Sequence, residues 1–94
     1  MASVARKFDL GQVIITPTAA DALAAAGQTA DAILARHQAG DWGDVGQQER
    51  AVNEQGLTEG LNLVSVYAAG NQRISVVTKG DRLLTLVHVD PRRV

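Results

Sequence analysis

Two histidines, His37 and His88, are the only imidazoles of the chain, which also carries Tyr67, Arg73 and Arg82 in its second half. A histidine base, an arginine clamp on a phosphate and a proton-donating acid are the parts that metal-independent RNA cleavage needs. The set His37, Tyr67, Arg73, Arg82 and His88 is the candidate catalytic constellation, that of a toxin-like ribonuclease. Against it, Arg73 and Arg82 stand where strands are expected to start, and charge there serves solubility alone. A second constellation is the string His37-Gln38-Ala39-Gly40-Asp41-Trp42-Gly43-Asp44, which holds the only tryptophan. With Glu49 it makes Asp41, Trp42, Asp44 and Glu49 the candidate partner-binding residues. Three carboxylates can mimic phosphates against a basic groove, and an indole can be a hot spot or a stacking platform. The same residues have a local reading: Asp41 and Asp44 cap the next helix, His37 bonds a backbone carbonyl, and Trp42 closes the core with its N–H bonded nearby.

Neither HExxH nor DxDxDG spacing occurs, and a chain without cysteine has no thiolate site and no disulfide. Neither a GxGxxG turn nor a GxxxxGK phosphate loop is present. No metal and no cofactor is therefore expected. The net charge is −1, from nine basic and ten acidic residues spread along the chain. That balance argues against a dedicated duplex-binding protein, and the expected partner is a protein rather than a nucleic acid. No span approaches the roughly 18 apolar residues of a membrane helix. No apolar stretch follows Arg6 and Lys7, as a secretory signal would require. The expectation is a cytoplasmic protein with no membrane partner.

Ninety-four residues accommodate a single domain. It reads as a loose arm (1–7), a mainly helical half (8–60), a sheet half (61–90) and a basic tail, Pro91-Arg92-Arg93. Phe8 to Ile15 contains the β-branched run Val13-Ile14-Ile15, a candidate strand. Thr16-Pro17-Thr18 stops it and starts a helix to about Ala26, with Thr18 and Asp21 shaped like a capping box. Thr29 caps a second helix to about Gln38, where Ala30, Ile33, Leu34 and His37 form one stripe. The glycines at 40 and 43 supply positive φ to the loop that follows. A third helix fits Gln47 to about Gln55, with Val45 and Val52 turned inward and Arg50 and Glu54 as an exposed pair. From Leu61 the period becomes two, and Leu61–Ala68, Arg73–Thr78 and Arg82–Val89 read as three strands on short connections. The fold class is α+β: two or three short N-terminal helices packed on a three- or four-stranded antiparallel β-meander. Both faces of that sheet are substantially apolar. Thin helices cover only one, so the other calls for the N-terminal segment, a second subunit or a partner.

Phe8-Asp9-Leu10-Gly11-Gln12-Val13, Thr16-Pro17, Ala22-Leu23, His37 with Gly40-Asp41-Trp42-Gly43, Asn53, Gly60, and Ser65 with Tyr67 together resemble the small "plasmid-related" proteins of bacterial plasmids, phages and integrated elements. The resemblance covers about two-thirds of the chain, with His-x-x-Gly-Asp-Trp-Gly its most specific string. The last third departs: Val77-Thr78-Lys79-Gly80-Asp81-Arg82 stands where those proteins tend to read Ile-Thr-Glu-Ala-Asp-Arg, and the end is basic. The resemblance implies a mobile-element setting. The expectation is a non-enzymatic interaction protein that inhibits a host nucleic-acid-targeting defence complex by occupying a binding surface. The ribonuclease and a structural homodimer formed through the sheet are the alternatives.

Overall fold

The computed structural model describes residues 6–90, so most of the expected arm and the whole basic tail lie outside the described residues. Elements follow in the order β1 (Gln12–Ile15), α1 (Pro17–Ala25), α2 (Ala30–Gln38), α3 (Gln47–Glu59), β2 (Leu63–Ala69), β3 (Gln72–Thr78) and β4 (Leu84–Val89). Local chemistry explains the helix starts. Thr16 has extended backbone (φ −68°, ψ 149°) and its hydroxyl accepts from the Ala19 amide at 3.2 Å, while Pro17 takes the first helical position. Thr16, not Thr18, is therefore the cap. Thr29 does the same for α2, accepting from the Ala32 amide at 3.2 Å. At α3 the Glu49 carboxylate reaches back to the Gly46 amide at 2.8 Å.

The sheet has the order β1-β4-β3-β2. Short connections make β2, β3 and β4 an antiparallel meander, with Leu63 opposite Thr78 and Val76 opposite Val87. β1 corrects the all-antiparallel expectation: it pairs parallel to β4, with Ile14 beside Leu86. Three helices and two strands separate β1 from β4 in sequence, so no tight turn dictates their relative direction. The sheet is mixed.

Helices α1 and α2 lie on one face, while α3 meets the β2 edge. Ala19, Ala22 and Leu23 of α1 and Ile33 and Leu34 of α2 are buried against Tyr67, Ala69, Ile74, Val76 and Val87, all inward positions of the strands. Alanine on α1 lets its backbone approach the sheet closely, as its spacing predicts. α3 differs from expectation. It runs through Gly56 to Glu59, and Val52, expected inward, is 46% exposed. Its buried residues are Asn53 and Gly56. Glu54 and Arg50 do not bond each other: Glu54 accepts from the Trp42 indole at 2.8 Å and Arg50 donates to the Gly43 carbonyl at 3.3 Å. Nor is Lys7 loose, because its amide donates to the Gln38 carbonyl at 2.8 Å.

The two edges of the sheet are treated differently. On β2, Asn53 brackets Val64, donating to its carbonyl at 2.7 Å and accepting from its amide at 3.0 Å. Trp42 and Asp44 bracket Val66: the Val66 amide donates to the Trp42 carbonyl at 3.1 Å, and the Asp44 amide to the Val66 carbonyl at 2.6 Å. Gln28 donates to the Ala68 carbonyl at 3.0 Å. The loop backbone and two side chains thus stand in for a fifth strand and block sideways pairing there. Among the described residues β1 has no such cover: all four of its residues are exposed.

Candidate functional site

His37 lies at the centre of a buried chain of hydrogen bonds whose direction follows from proton counting. At its far end the Thr85 hydroxyl donates to the Leu10 carbonyl at 2.7 Å. A hydroxyl has one proton, so Thr85 accepts from Thr78, 2.8 Å away. Thr78 then has its proton committed and accepts from His37 Nε2 at 2.9 Å. The neutral ring is protonated on Nε2, and Nδ1 takes the Ser65 hydroxyl proton at 2.5 Å. Phe8 meets the imidazole edge-on at 5.0 Å and Trp42 at 5.7 Å, while Phe8 and Trp42 stack at 6.2 Å. Burial, aided by the charge of Arg82, pushes the imidazole down to about 4. A neutral ring with both nitrogens engaged and no exposed surface meets no substrate. Its partners are hydroxyls on β2 and β3, not the backbone carbonyl expected from sequence.

The His37–Asp44 loop is a clasp, as its glycines predict: Gly40 and Gly43 have φ of +84° and +73°. A Cβ on Gly43 would overlap the Val66 carbonyl, so only glycine lets the loop reach β2. Trp42 is fully buried. It closes the core and presents nothing to a partner, which removes it from the candidate partner-binding residues. Asp41 pairs with Arg36 at 2.7 Å and also accepts from the Gly43 amide at 3.2 Å. The Arg36 hydrogen bond and charge hold its carboxyl below the usual range. Arg36 also lies 4.5 Å over the Tyr67 ring, whose hydroxyl donates to the Asp41 carbonyl at 2.6 Å. Asp41, Asp44 and Glu49 share one end of the molecule, but Arg36 and Arg50 stand among them, and Glu49 is engaged at the start of α3. Two guanidiniums offset most of the charge of the three acids, so the region is not an uninterrupted run of phosphate mimics.

The ribonuclease set is not brought together. His37 and Tyr67 are buried on the helix side of the sheet, whereas Arg73 and His88 alternate onto the other side. Burial pushes the Tyr67 phenol up to about 12, away from acid work at neutral pH. Arg82 precedes β4 and is a knot: it donates to the carbonyls of Gly56 (2.8 Å), Leu61 (2.7 Å) and Lys79 (3.1 Å). Its guanidinium also lies 5.6 Å from the Phe8 ring. It holds the end of α3 against the β3–β4 turn and has φ +62°, a strained value for a side-chain-bearing residue. Sequence reasoning missed the roles of Asn53, Ser65, Thr78 and Thr85. For Ser65, Thr78 and Thr85 the available signal was a polar residue at an inward position of β2, β3 and β4.

Opposite the helices lies the outer face of the sheet. Alternation places Gln12 and Ile14 of β1, Leu84, Leu86 and His88 of β4, Arg73, Ser75 and Val77 of β3, and Val64, Val66 and Ala68 of β2 on it. Across it Val64, Val77, Leu86 and Ile14 are successive partners, an apolar row that spans all four strands. Val64, Val77 and Leu86 are half-buried and Ile14 is 44% exposed, whereas Val66 and Ser75 beside the row are buried; no helix of the described residues is packed on the row itself.

Among the described residues no group of three or more His, Cys, Asp or Glu side chains could hold a metal ion. No helix among them is long and apolar enough to cross a membrane. The chain matches no family model, no curated protein and no solved structure.

Proposed function

We propose that this is a non-enzymatic interaction protein that acts by occupying a surface of another macromolecule with the outer face of its sheet. The observation that carries this is the row Val64–Val77–Leu86–Ile14, apolar across four strands and without a helical cover. Aliphatic area left at water is recovered by docking, at ~25 cal/mol per Å². The dispersal of His37, Tyr67, Arg73 and His88 over both sides of the sheet weighs against the ribonuclease. The balance of Asp41 by Arg36 weighs against phosphate mimicry as the means of binding.

The resemblance to plasmid-related proteins supports a mobile-element origin and a bacterial cytoplasmic setting. In that setting the target is a host complex that attacks foreign nucleic acid, by restriction or CRISPR. Phage plating on bacteria armed with such a system tests it. The wild-type protein raises plating efficiency, and Val77→Lys with Leu86→Lys lowers the effect at least about tenfold, one decade being ~1.4 kcal/mol of lost binding. Circular dichroism must show the double variant folded. Protection that survives both lysines, or no protection against any armed host, contradicts the reading.

A further inference from the structure

The open edge of β1 has a geometry that fits one occupant. The Gln12 amide donates to the Leu83 carbonyl and the Thr16 amide to the Val87 carbonyl, both at 3.0 Å, so the even-numbered residues turn their amides toward β4. The alternation of a strand then turns the amide and carbonyl groups of Val13 and Ile15 away from the sheet. Nothing among the described residues pairs them, and Val13, Ile14 and Ile15 are 36%, 44% and 36% exposed. β1 contains no charge and no proline, the devices by which edge strands usually resist pairing. The contrast with β2 is direct, since that edge is bracketed by Asn53, Trp42, Asp44 and Gln28.

We infer that β1 pairs antiparallel with β1 of a second copy of this chain, about a two-fold axis at Ile14. The register follows from which groups face outward. An antiparallel strand exchanges two hydrogen bonds between directly opposed residues at every second position. With Val13 opposite Ile15 of the second copy, and Ile15 opposite its Val13, all four outward amides and all four outward carbonyls are located at such positions. Each of the two pairs exchanges both bonds. Ile14 then faces Ile14 across the axis at a non-hydrogen-bonded position, where side chains approach most closely. The strand is thus complementary to itself, the requirement for an isologous interface. One further consequence singles out a second copy over an unrelated strand. Pairing at Ile14 carries the row Val64–Val77–Leu86–Ile14 across the axis into its own mirror sequence, Ile14–Leu86–Val77–Val64. Two four-stranded sheets become one of eight strands with an unbroken apolar row. The inference stands on the edge, not on what docks against the outer face, and the two can fail separately.

Light scattering across a concentration series, with hydrogen exchange on the same samples, tests it. The wild-type chain approaches twice 9.9 kDa as concentration rises. Val13 and Ile15 amides become protected with dimerisation, while Gln12 and Thr16 amides, bonded to β4, are protected throughout. Ile14→Lys sets two ammonium groups face to face and weakens the dimer at least about tenfold. The helices of the variant remain by circular dichroism, and protection is lost at Val13 and Ile15 only. Val13→Pro, which removes one outward amide and leaves the β4 ladder intact, likewise weakens the dimer and unprotects the Ile15 amide if the lysine variant fails to fold. A wild-type chain that stays monomeric, or a dimer whose Val13 and Ile15 amides exchange freely, overturns the inference.

Discussion

The Ser65 hydroxyl lies 2.5 Å from Nδ1 of His37, binding α2 to β2 by a proton that can point in only one direction. From that contact the hydrogen bonds run through Thr78 and Thr85 to the Leu10 carbonyl. They cross three strands and reach the segment leading into β1. A buried polar group costs stability unless it is satisfied, and here every group of the chain is. The network fixes which helix face meets which strand register, and so holds the outer face in place from behind.

Acid should undo it. The folded state keeps His37 neutral down to about 4, against 6.5 for the ordinary side chain. Between these values the unfolded chain binds the extra proton, so stability is full above pH 6.5 and falls as pH drops toward 4. The difference is worth roughly 3 kcal/mol. Urea unfolding at pH 7 and pH 4.5 should show most of that loss, and the His37 ring resonances should titrate near 4. A midpoint near 6.5 would show that the ring is open to water.

Thr78→Val keeps the shape of the side chain but leaves the Nε2 proton of His37 without an acceptor. Loss of one partner in a buried network costs about 1–3 kcal/mol. Ser65→Ala should cost less, because it strands an acceptor nitrogen rather than a donor. Chemical denaturation of the two variants measures both, and equal, negligible losses would mean that the chain of bonds is dispensable.

Gly43→Ala should be among the most damaging single-atom additions. It combines a positive φ of +73° with overlap against the Val66 carbonyl. A cost above about 2 kcal/mol is expected from the two effects together. Because the displaced loop carries Trp42 and Asp44, hydrogen exchange at the Val66 amide should accelerate with it.

Arg82 separates side-chain bonding from backbone strain. Arg82→Ala loses three bonds to backbone carbonyls and keeps the φ of +62°, whereas Arg82→Gly loses the bonds and relieves the strain. The glycine variant should therefore be the more stable of the two by about 1 kcal/mol. Thermal melts decide it, and an alanine variant as stable as wild type would show that the knot contributes nothing.

Much of the fold can be read in the sequence because local chemistry and tertiary packing agree. Ile33, Leu34 and His37 are buried as their spacing predicts, and the meander follows from turns too short for anything but antiparallel strands. Where the reading fails, a distant contact decides. Val52 loses its inward place to Asn53, which serves α3 better by bonding both backbone groups of Val64. Arg82 looks like a strand-opening cation until the carbonyls of Gly56 and Leu61 are seen around it. The direction of β1 has no local determinant at all, since its partner lies at the other end of the chain. Trp42 and the acids illustrate the same limit. Their types suggest binding, but whether an indole is buried or a carboxylate is paired is a property of the assembled fold.

The central claim, that the outer face of the sheet is where this protein meets its partner, is tested most directly by placing a photo-crosslinking amino acid on it. Carried at Val77, in the middle of the apolar row, the probe should yield a discrete covalent adduct in cells that produce the protein. The same probe at Ala24, exposed on the opposite, helical side, should yield none. Adducts from Ala24 alone, or none from a correctly folded Val77 variant, would contradict the account.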